Sequence, residues 1–145
     1  FISEFDGFSI GSNDMTQMVL ATDRDNARLS HIYDEEDPAV VWAILVSIFT
    51  GLKYGKKVGF CGQGVSNSLI LRGLVAIAGI TSASVVPDTY YQTVFDIAAV
   101  EALVKETAVG DNIGCENDAS RTGHTDRLAQ GLLFVFPAVK MVQGA

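Results

Sequence analysis

The sequence predicts an α/β fold of three consecutive strand–loop–helix units with parallel strands. Three observations lead there. The short apolar segments Gly7–Ile10, Lys57–Cys61 and Ser82–Val86 have the length and composition of strands. Each is followed by a turn marked by glycine or proline, and beyond each turn lies a stretch with helix-forming character. Strand, loop and helix recur in that order, and parallel strands need such helical crossovers.

Gly7-Phe8-Ser9-Ile10 is bounded by glycines and reads as a buried strand. Ser12-Asn13-Asp14 offers helix-capping side chains, and Met15 to Leu20 follows as a helical turn or two. Thr22 to Asp34 is polar and predicts a loop with local turns. Asp37-Pro38 is a helix start, a capping Asp followed by Pro at the first helical position. Val40, Val41, Ile44, Leu45, Ile48, Phe49 and Leu52 then recur at helical spacing until Gly55 ends the helix. The apolar run from Ala39 to Leu52 is shorter than the roughly 20 residues a bilayer requires, so it predicts a buried helix and no membrane span.

Lys57-Val58-Gly59-Phe60-Cys61 is the second strand. Gly62 and Gly64 predict a tight turn, with Ser66 or Asn67 capping a helix that runs to Ala78 and stops at Gly79. Ser82 to Val86 is the third strand. Pro87-Asp88-Thr89 opens a third long helix, from about Tyr90 to Thr107. From Ala108 the pattern fails: Gly110 to Arg127 is polar, and Leu128 to Val142 is apolar but contains Pro137. The expected division is a domain over residues 1–107 and a C-terminal extension over 108–145.

Length and composition suit one soluble domain with one core: 145 residues, 48% hydrophobic and 19% charged. A net charge of −7 argues against a nucleic-acid partner, which requires clustered Lys and Arg. It leaves room for phosphorylated small molecules. Two cysteines, Cys61 and Cys115, make no disulfide framework and point to a reducing, cytoplasmic compartment. No targeting segment precedes the first strand, and a start at Phe1 suggests a fragment of a longer chain.

Ligands of parallel α/β folds bind beyond the carboxyl ends of the strands. The loops Gly11–Asp14, Cys61–Gly64 and Pro87-Asp88 share that face. Asp14 is a candidate magnesium ligand, since magnesium takes one or two protein carboxylates and keeps water and substrate oxygens in its other positions. Asn13 offers a donor and an acceptor, and Gly11 admits a close backbone approach to an anion. The same Ser-Asn-Asp run is also what a plain helix cap requires. Cys61 could act as nucleophile or as acid/base, its reference pKa of about 8.5 being tunable. Cysteine is equally at home as a small buried residue. Cys115 has no orienting partner. His31 and His124 share no ligand spacing with each other or with the cysteines. Asp23-Arg24-Asp25 reads as a hydrogen-bonded loop or a local ion cluster. Asp34-Glu35-Glu36-Asp37 suits the positive end of the following helix.

Phe5 to Gln17, followed by Asp23-Arg24-Asp25, resembles the C-terminal phosphoenolpyruvate/pyruvate-binding domain of the PEP-utilising enzymes, in the form found in phosphoenolpyruvate synthases (pyruvate, water dikinases). Val58-Gly59-Phe60-Cys61-Gly62-Gln63-Gly64 is similar to that family's cysteine loop, and Gly79 to Thr89 to its last barrel strand. The resemblance runs from about Phe1 to Leu103. Pyruvate, phosphate dikinases and enzyme I of the phosphotransferase system share the Asn-Asp and Cys-Gly elements; the Cys-Gly-Gln-Gly form points to the synthases. Two features depart from the pattern. Val65-Ser66-Asn67 stands where the family usually has Pro-Ser-Asp, and the tail after about Val104 has no counterpart.

The resemblance implies the C-terminal portion, about three βα units, of a (β/α)8 TIM barrel. It implies the reaction of ATP, pyruvate and water to AMP, phosphoenolpyruvate and phosphate. Carried over, Cys61 is the acid/base that exchanges a proton with the substrate methyl or methylene carbon. Gly11, Ser12, Asn13, Asp14, Gly62 and Gln63 contact substrate, and Asp14 ligates Mg2+. The alternatives are the PEP-binding domain of a pyruvate, phosphate dikinase or of an enzyme I-like protein, or a truncated, non-catalytic binding remnant. Three units cannot close an eight-stranded barrel. The second metal carboxylate, the substrate-binding arginines, and the phosphohistidine and ATP-binding domains are expected N-terminal to Phe1. The chain by itself is therefore expected to be inactive, and its open strand edge and apolar faces predict a partner segment or a homo-oligomer.

Overall fold

The computed structural model describes residues 2–110. A 3-10 turn at Ile2–Glu4 precedes strand β1 (Gly7–Gly11) and helix α1 (Ser12–Leu20). A turn-rich loop with a 3-10 turn at Ser30–Ile32 leads to α2 (Pro38–Lys53). Then come β2 (Lys57–Cys61), the short α3 (Gly64–Asn67), α4 (Leu69–Ala78), β3 (Ser82–Ala83), a 3-10 turn at Pro87–Thr89, and α5 (Tyr90–Gly110). Among the described residues the strands form one parallel sheet in the order β1-β2-β3. The expected α/β class and parallel crossovers are present.

The pairing register assigns the two faces of the sheet. Phe8 pairs with Val58 and Ile10 with Phe60, and Ile10, Val58 and Phe60 are all but fully buried. Strand alternation places the intervening residues Ser9, Gly59 and Cys61 on the other face. That face carries small side chains: a Cβ on Gly59 would stand 3.2 Å from both Ser82 Oγ and Ser9 Oγ.

Helix α2 buries Val40, Val41, Ile44, Leu45 and Ile48 of the stripe its periodicity predicts, while Phe49 and Leu52 on that stripe are half-buried and Gly51 is buried beside it. Burial of such side chains contributes roughly 1.5–3 kcal/mol each. Gly51 lets the helix seat on the sheet, since a Cβ there would lie 2.3 Å from Val58 Cγ2 and 2.9 Å from Phe8 Cε1. Asp37 caps the helix by accepting from Ala39 N at 2.8 Å, with Pro38 behind it, as the sequence predicts. At the other end Gly55 takes a φ of 66°, the left-handed conformation that closes a helix.

The structure corrects four expectations. First, Ser12, Asn13 and Asp14 do not cap α1 but form its first turn. Gly11 holds the cap position without a side-chain bond, and the Ser12 hydroxyl is engaged elsewhere. Second, Ser68 caps α4, accepting from Leu71 N at 3.0 Å. Residues 64–67 form their own helical turn, and Ser68 is extended, breaking the helix at that point. Third, β3 is two residues long instead of five. Its neighbour β2 ends at Cys61, so residues beyond Ser84 have no ladder partner. Val86 N instead donates to Ser66 Oγ at 3.0 Å, and Pro87 starts a turn. Fourth, α5 continues past Thr107 to Gly110. Of the expected extension, residues 111–145 lie outside the described residues, as do Cys115 and His124. No helix among the described residues is long and apolar enough to cross a membrane.

Candidate active site

The two loops singled out in the sequence end adjacent strands. Gly11 and Cys61 are partners in the parallel ladder, the last pair of β1 and β2. Neighbouring strands run about 4.8 Å apart, so the loops leave the sheet side by side.

Cys61 is a free thiol of intermediate exposure. Its neighbours Val58 and Phe60 point into the core, whereas alternation sends Cys61 to the small-residue face. A cysteine held only for packing belongs with Phe60; this one is outside the core and reachable from the strand ends. Gly62 follows with φ 112°, a backbone conformation suited to glycine. Gln63 is exposed, and Gly64 is buried at the start of α3.

Ser12 joins the loops. It is fully buried, and its Oγ accepts from Gly64 N at 3.1 Å. The glycines of the second loop are shaped around it. A Cβ on Gly62 would fall 2.4 Å from Ser12 Oγ, and one on Gly64 would fall 3.2 Å from the same oxygen.

Asp14 is exposed, and its carboxylate leans back over Gly11, where an added Cβ would stand 3.2 Å from Oδ2. It makes no ion pair or hydrogen bond with the described residues, so both oxygens are open to a ligand. It lines a hollow of about 300 Å3 beside β1, with Phe8, Gly11, Met15 and Ser47. A single unpaired carboxylate at a strand end fits one protein ligand of a hard cation such as magnesium. Among the described residues no group of three His, Cys, Asp or Glu gathers to hold a metal.

Asn13 is the residue whose surroundings the sequence left unread. With its amide oriented to suit its neighbours, the nitrogen donates to Glu35 Oε1 at 2.9 Å and the oxygen accepts from Arg24 Nη1 at 3.0 Å. The Tyr33 hydroxyl donates to the main-chain carbonyl of Asn13 at 3.4 Å. Burial, and then the Glu35 charge, push the Tyr33 phenol above its ordinary pKa of 10.0. Arg24, Tyr33 and Glu35 thus form the wall beside Asn13, although the loop they belong to carries no periodic signal. Asp23-Arg24-Asp25 proves to be both of the things it resembled. Asp25 N donates to Asp23 Oδ1 at 2.9 Å in a local turn, and Arg24 Nε lies 3.6 Å from Asp25 Oδ1. His31 is exposed and belongs to no metal-holding group among the described residues.

Parallel strands, crossover helices and polar groups gathered at the strand ends define an α/β protein of the strand-end ligand-binding class. Its family follows from comparison: residues 1–122 match the family model described as PEP-utilising enzyme, PEP-binding domain, and the chain belongs to that family. It is 44% identical over 101 residues to the phosphoenolpyruvate synthase of Escherichia coli (strain K12), covering 70% of this chain and 13% of that protein. To the phosphoenolpyruvate synthase of Aquifex aeolicus (strain VF5) it is 43% identical over 97 residues, 67% of this chain and 11% of that protein. To that of Pseudomonas aeruginosa (strain UCBPP-PA14) it is 44% identical over 98 residues, 68% and 12% respectively. The chain therefore spans about an eighth of the length of these curated relatives. The family expected from the two loops is the family found.

Proposed function

We propose that this chain is the C-terminal part of the PEP/pyruvate-binding barrel of a phosphoenolpyruvate synthase, which converts ATP, pyruvate and water to AMP, phosphoenolpyruvate and phosphate. Its three parallel strands are three of the eight in a (β/α)8 barrel. The remaining strands, the second metal carboxylate, the phosphohistidine and the ATP-binding domain belong to the rest of the parent protein. The exposed apolar side chains Met18, Trp42, Tyr91 and Phe95 are covered there or in a homo-oligomer. The free Cys61 thiol suits a reducing, cytoplasmic setting.

The observation that carries this reading is the Gly11–Cys61 pairing. It sets a reachable thiol on one strand end beside an open carboxylate loop on the next. In the proposed reaction the Cys61 thiolate removes a proton from the pyruvate methyl carbon. The electron pair of the broken C–H bond forms the carbon–carbon double bond, and the carbonyl oxygen takes the negative charge. That oxygen then accepts a phosphoryl group from the phosphohistidine of the parent. In reverse, Cys61 returns the proton to the methylene carbon. Asp14 would hold Mg2+, which supplies positive charge where the oxygen becomes negative. Gly11 and Asn13 on one loop, and Gly62 and Gln63 on the other, flank the substrate; Ser12, expected to contact it too, is fully buried with its hydroxyl on Gly64 N and acts from behind by joining the loops.

The test is Cys61→Ala in the complete protein. Phosphoenolpyruvate formation is expected to be lost while ATP-dependent phosphorylation of the protein continues. Sustained pyruvate conversion by that variant would remove Cys61 from proton transfer.

A further inference from the structure

Directly after the cysteine loop stands α3, a helix of four residues. A single helical turn has no stability of its own, because nucleation costs more than one turn returns. Its shape must come from outside. Much of it comes from one side chain, Arg72 of α4, which is 6% exposed. Arg72 Nε donates to the Val65 carbonyl at 2.9 Å, and Nη2 donates to the Ser66 carbonyl at 2.8 Å. Its remaining side, Nη1, pairs with Asp96 Oδ2 on α5. Asp96 is itself oriented from its own helix, since Gln92 Nε2 donates to Oδ1 at 2.8 Å.

The guanidinium is planar and its donors are fixed relative to one another. An arginine with three partners therefore fixes those partners too. Ser66 carries the restraint further, its hydroxyl receiving Val86 N from the loop after β3. The Cys61–Gly64 turn is thus held on one side by Ser12 and on the other by α3, and α3 is held by Arg72.

We propose that Arg72, oriented by Asp96, is a positioning residue for the cysteine loop: it fixes α3, and through α3 the place at which the Cys61 thiol meets substrate. The catalytic consequence rests on the proton-transfer role proposed for Cys61; the mechanical one does not. A small misplacement of a reacting group can cost roughly 100-fold in rate, so a clamp of this kind acts on turnover.

The test pairs the double variant Arg72→Leu/Asp96→Leu with the conservative Arg72→Lys. Replacing a buried ion pair by apolar residues commonly preserves stability, so the double variant separates positioning from folding. In the full 145-residue chain, amide exchange at residues 64–67 is expected to accelerate roughly tenfold in the double variant, with little change in the melting temperature. Lysine keeps the charge but cannot serve both carbonyls as a fork, so Arg72→Lys is expected to fall between. Wild-type exchange in the double variant would overturn the proposal. If that variant does not fold, Arg72→Lys with wild-type exchange at residues 64–67 would do the same. In the complete enzyme the kcat for phosphoenolpyruvate formation is expected to fall at least tenfold in Arg72→Lys, with KM for pyruvate held. An equal loss through KM alone would count against positioning. If Cys61→Ala retains turnover, the proton-transfer reading fails while the exchange result stands.

Discussion

Gly64 N–H donates to Ser12 Oγ at 3.1 Å, a bond that ties together two loops 52 residues apart in the chain. Ser12 has no exposed surface, so neither partner can turn to water if the other is removed. The bond makes the two strand-end loops a single unit, and it explains why the residue after Gly11 must be small and carry an acceptor. Ser12→Ala leaves the Gly64 amide buried without a partner, at a cost of about 1–3 kcal/mol. Urea denaturation of the chain should register that loss as a lower midpoint with an unchanged slope. A midpoint equal to wild type would show that the bond contributes nothing net.

Gly62 is constrained by the same serine. Its φ of 112° disfavours any side chain, and a Cβ would stand 2.4 Å from Ser12 Oγ and 3.0 Å from Ser12 N. Gly62→Ala therefore suffers both backbone strain, about 1–3 kcal/mol, and a collision. The two costs separate in a double-mutant cycle. Ser12→Gly removes the hydroxyl but leaves the φ, so the double variant should be destabilised by less than the sum of the singles. Coupling of about 0.5–3 kcal/mol is expected. Strict additivity would place the two residues out of contact.

The sequence was most readable where local chemistry and tertiary structure agree. Asp37-Pro38 starts a helix from its own side chain and ring, and the α2 stripe buries five of the seven residues its spacing marks. The pairing of the two loops was legible because parallel strands put their ends on one side. Less legible was anything settled by a distant partner. Ser12 has the composition of a cap, yet a glycine amide in the other loop claims its hydroxyl. Ser66 likewise gives its hydroxyl to Val86 and leaves capping to Ser68. Arg72 falls on the buried stripe of α4, where periodicity expects an apolar residue, and only the carbonyls of α3 and the Asp96 carboxylate account for it. The Asn13 wall was hidden for the same reason, since Arg24 and Glu35 reach it from a loop without periodic pattern.

Substitution of Asp14 separates the proposed metal binding from packing. Its carboxylate is exposed and has no partner among the described residues, so Asp14→Asn should leave the fold intact, within about 0.5 kcal/mol. In the complete protein the same change should raise the Mg2+ concentration needed for half-maximal phosphoenolpyruvate formation, because the amide is neutral. Rescue by excess Mg2+ is expected to be partial. An unchanged Mg2+ requirement would exclude Asp14 from the coordination shell.

Tyr33 gives the site a pH signature. Its phenol is raised above 10.0 first by burial and then by the charge of Glu35, with Asp14 adding a smaller push in the same direction. A hydrogen bond with Thr16 and the charge of Arg24 oppose the shift without cancelling it. A raised pKa means that the folded chain holds the phenolic proton more tightly than the unfolded chain does. The associated stability is fully present below pH 10.0 and is lost as pH rises through the raised value. Alkaline titration of the phenolate absorbance should therefore contain a component above the ordinary tyrosine range, and Tyr33→Phe should delete it. Glu35→Gln should move that component back toward 10.0 without abolishing it, since burial is the larger cause. The two variants should also differ in stability above pH 10.0: Tyr33→Phe should flatten the alkaline decline, and Glu35→Gln should only soften it. A Tyr33 that titrates at its ordinary value would mean that the phenol is solvated, and that the wall beside Asn13 is open to water.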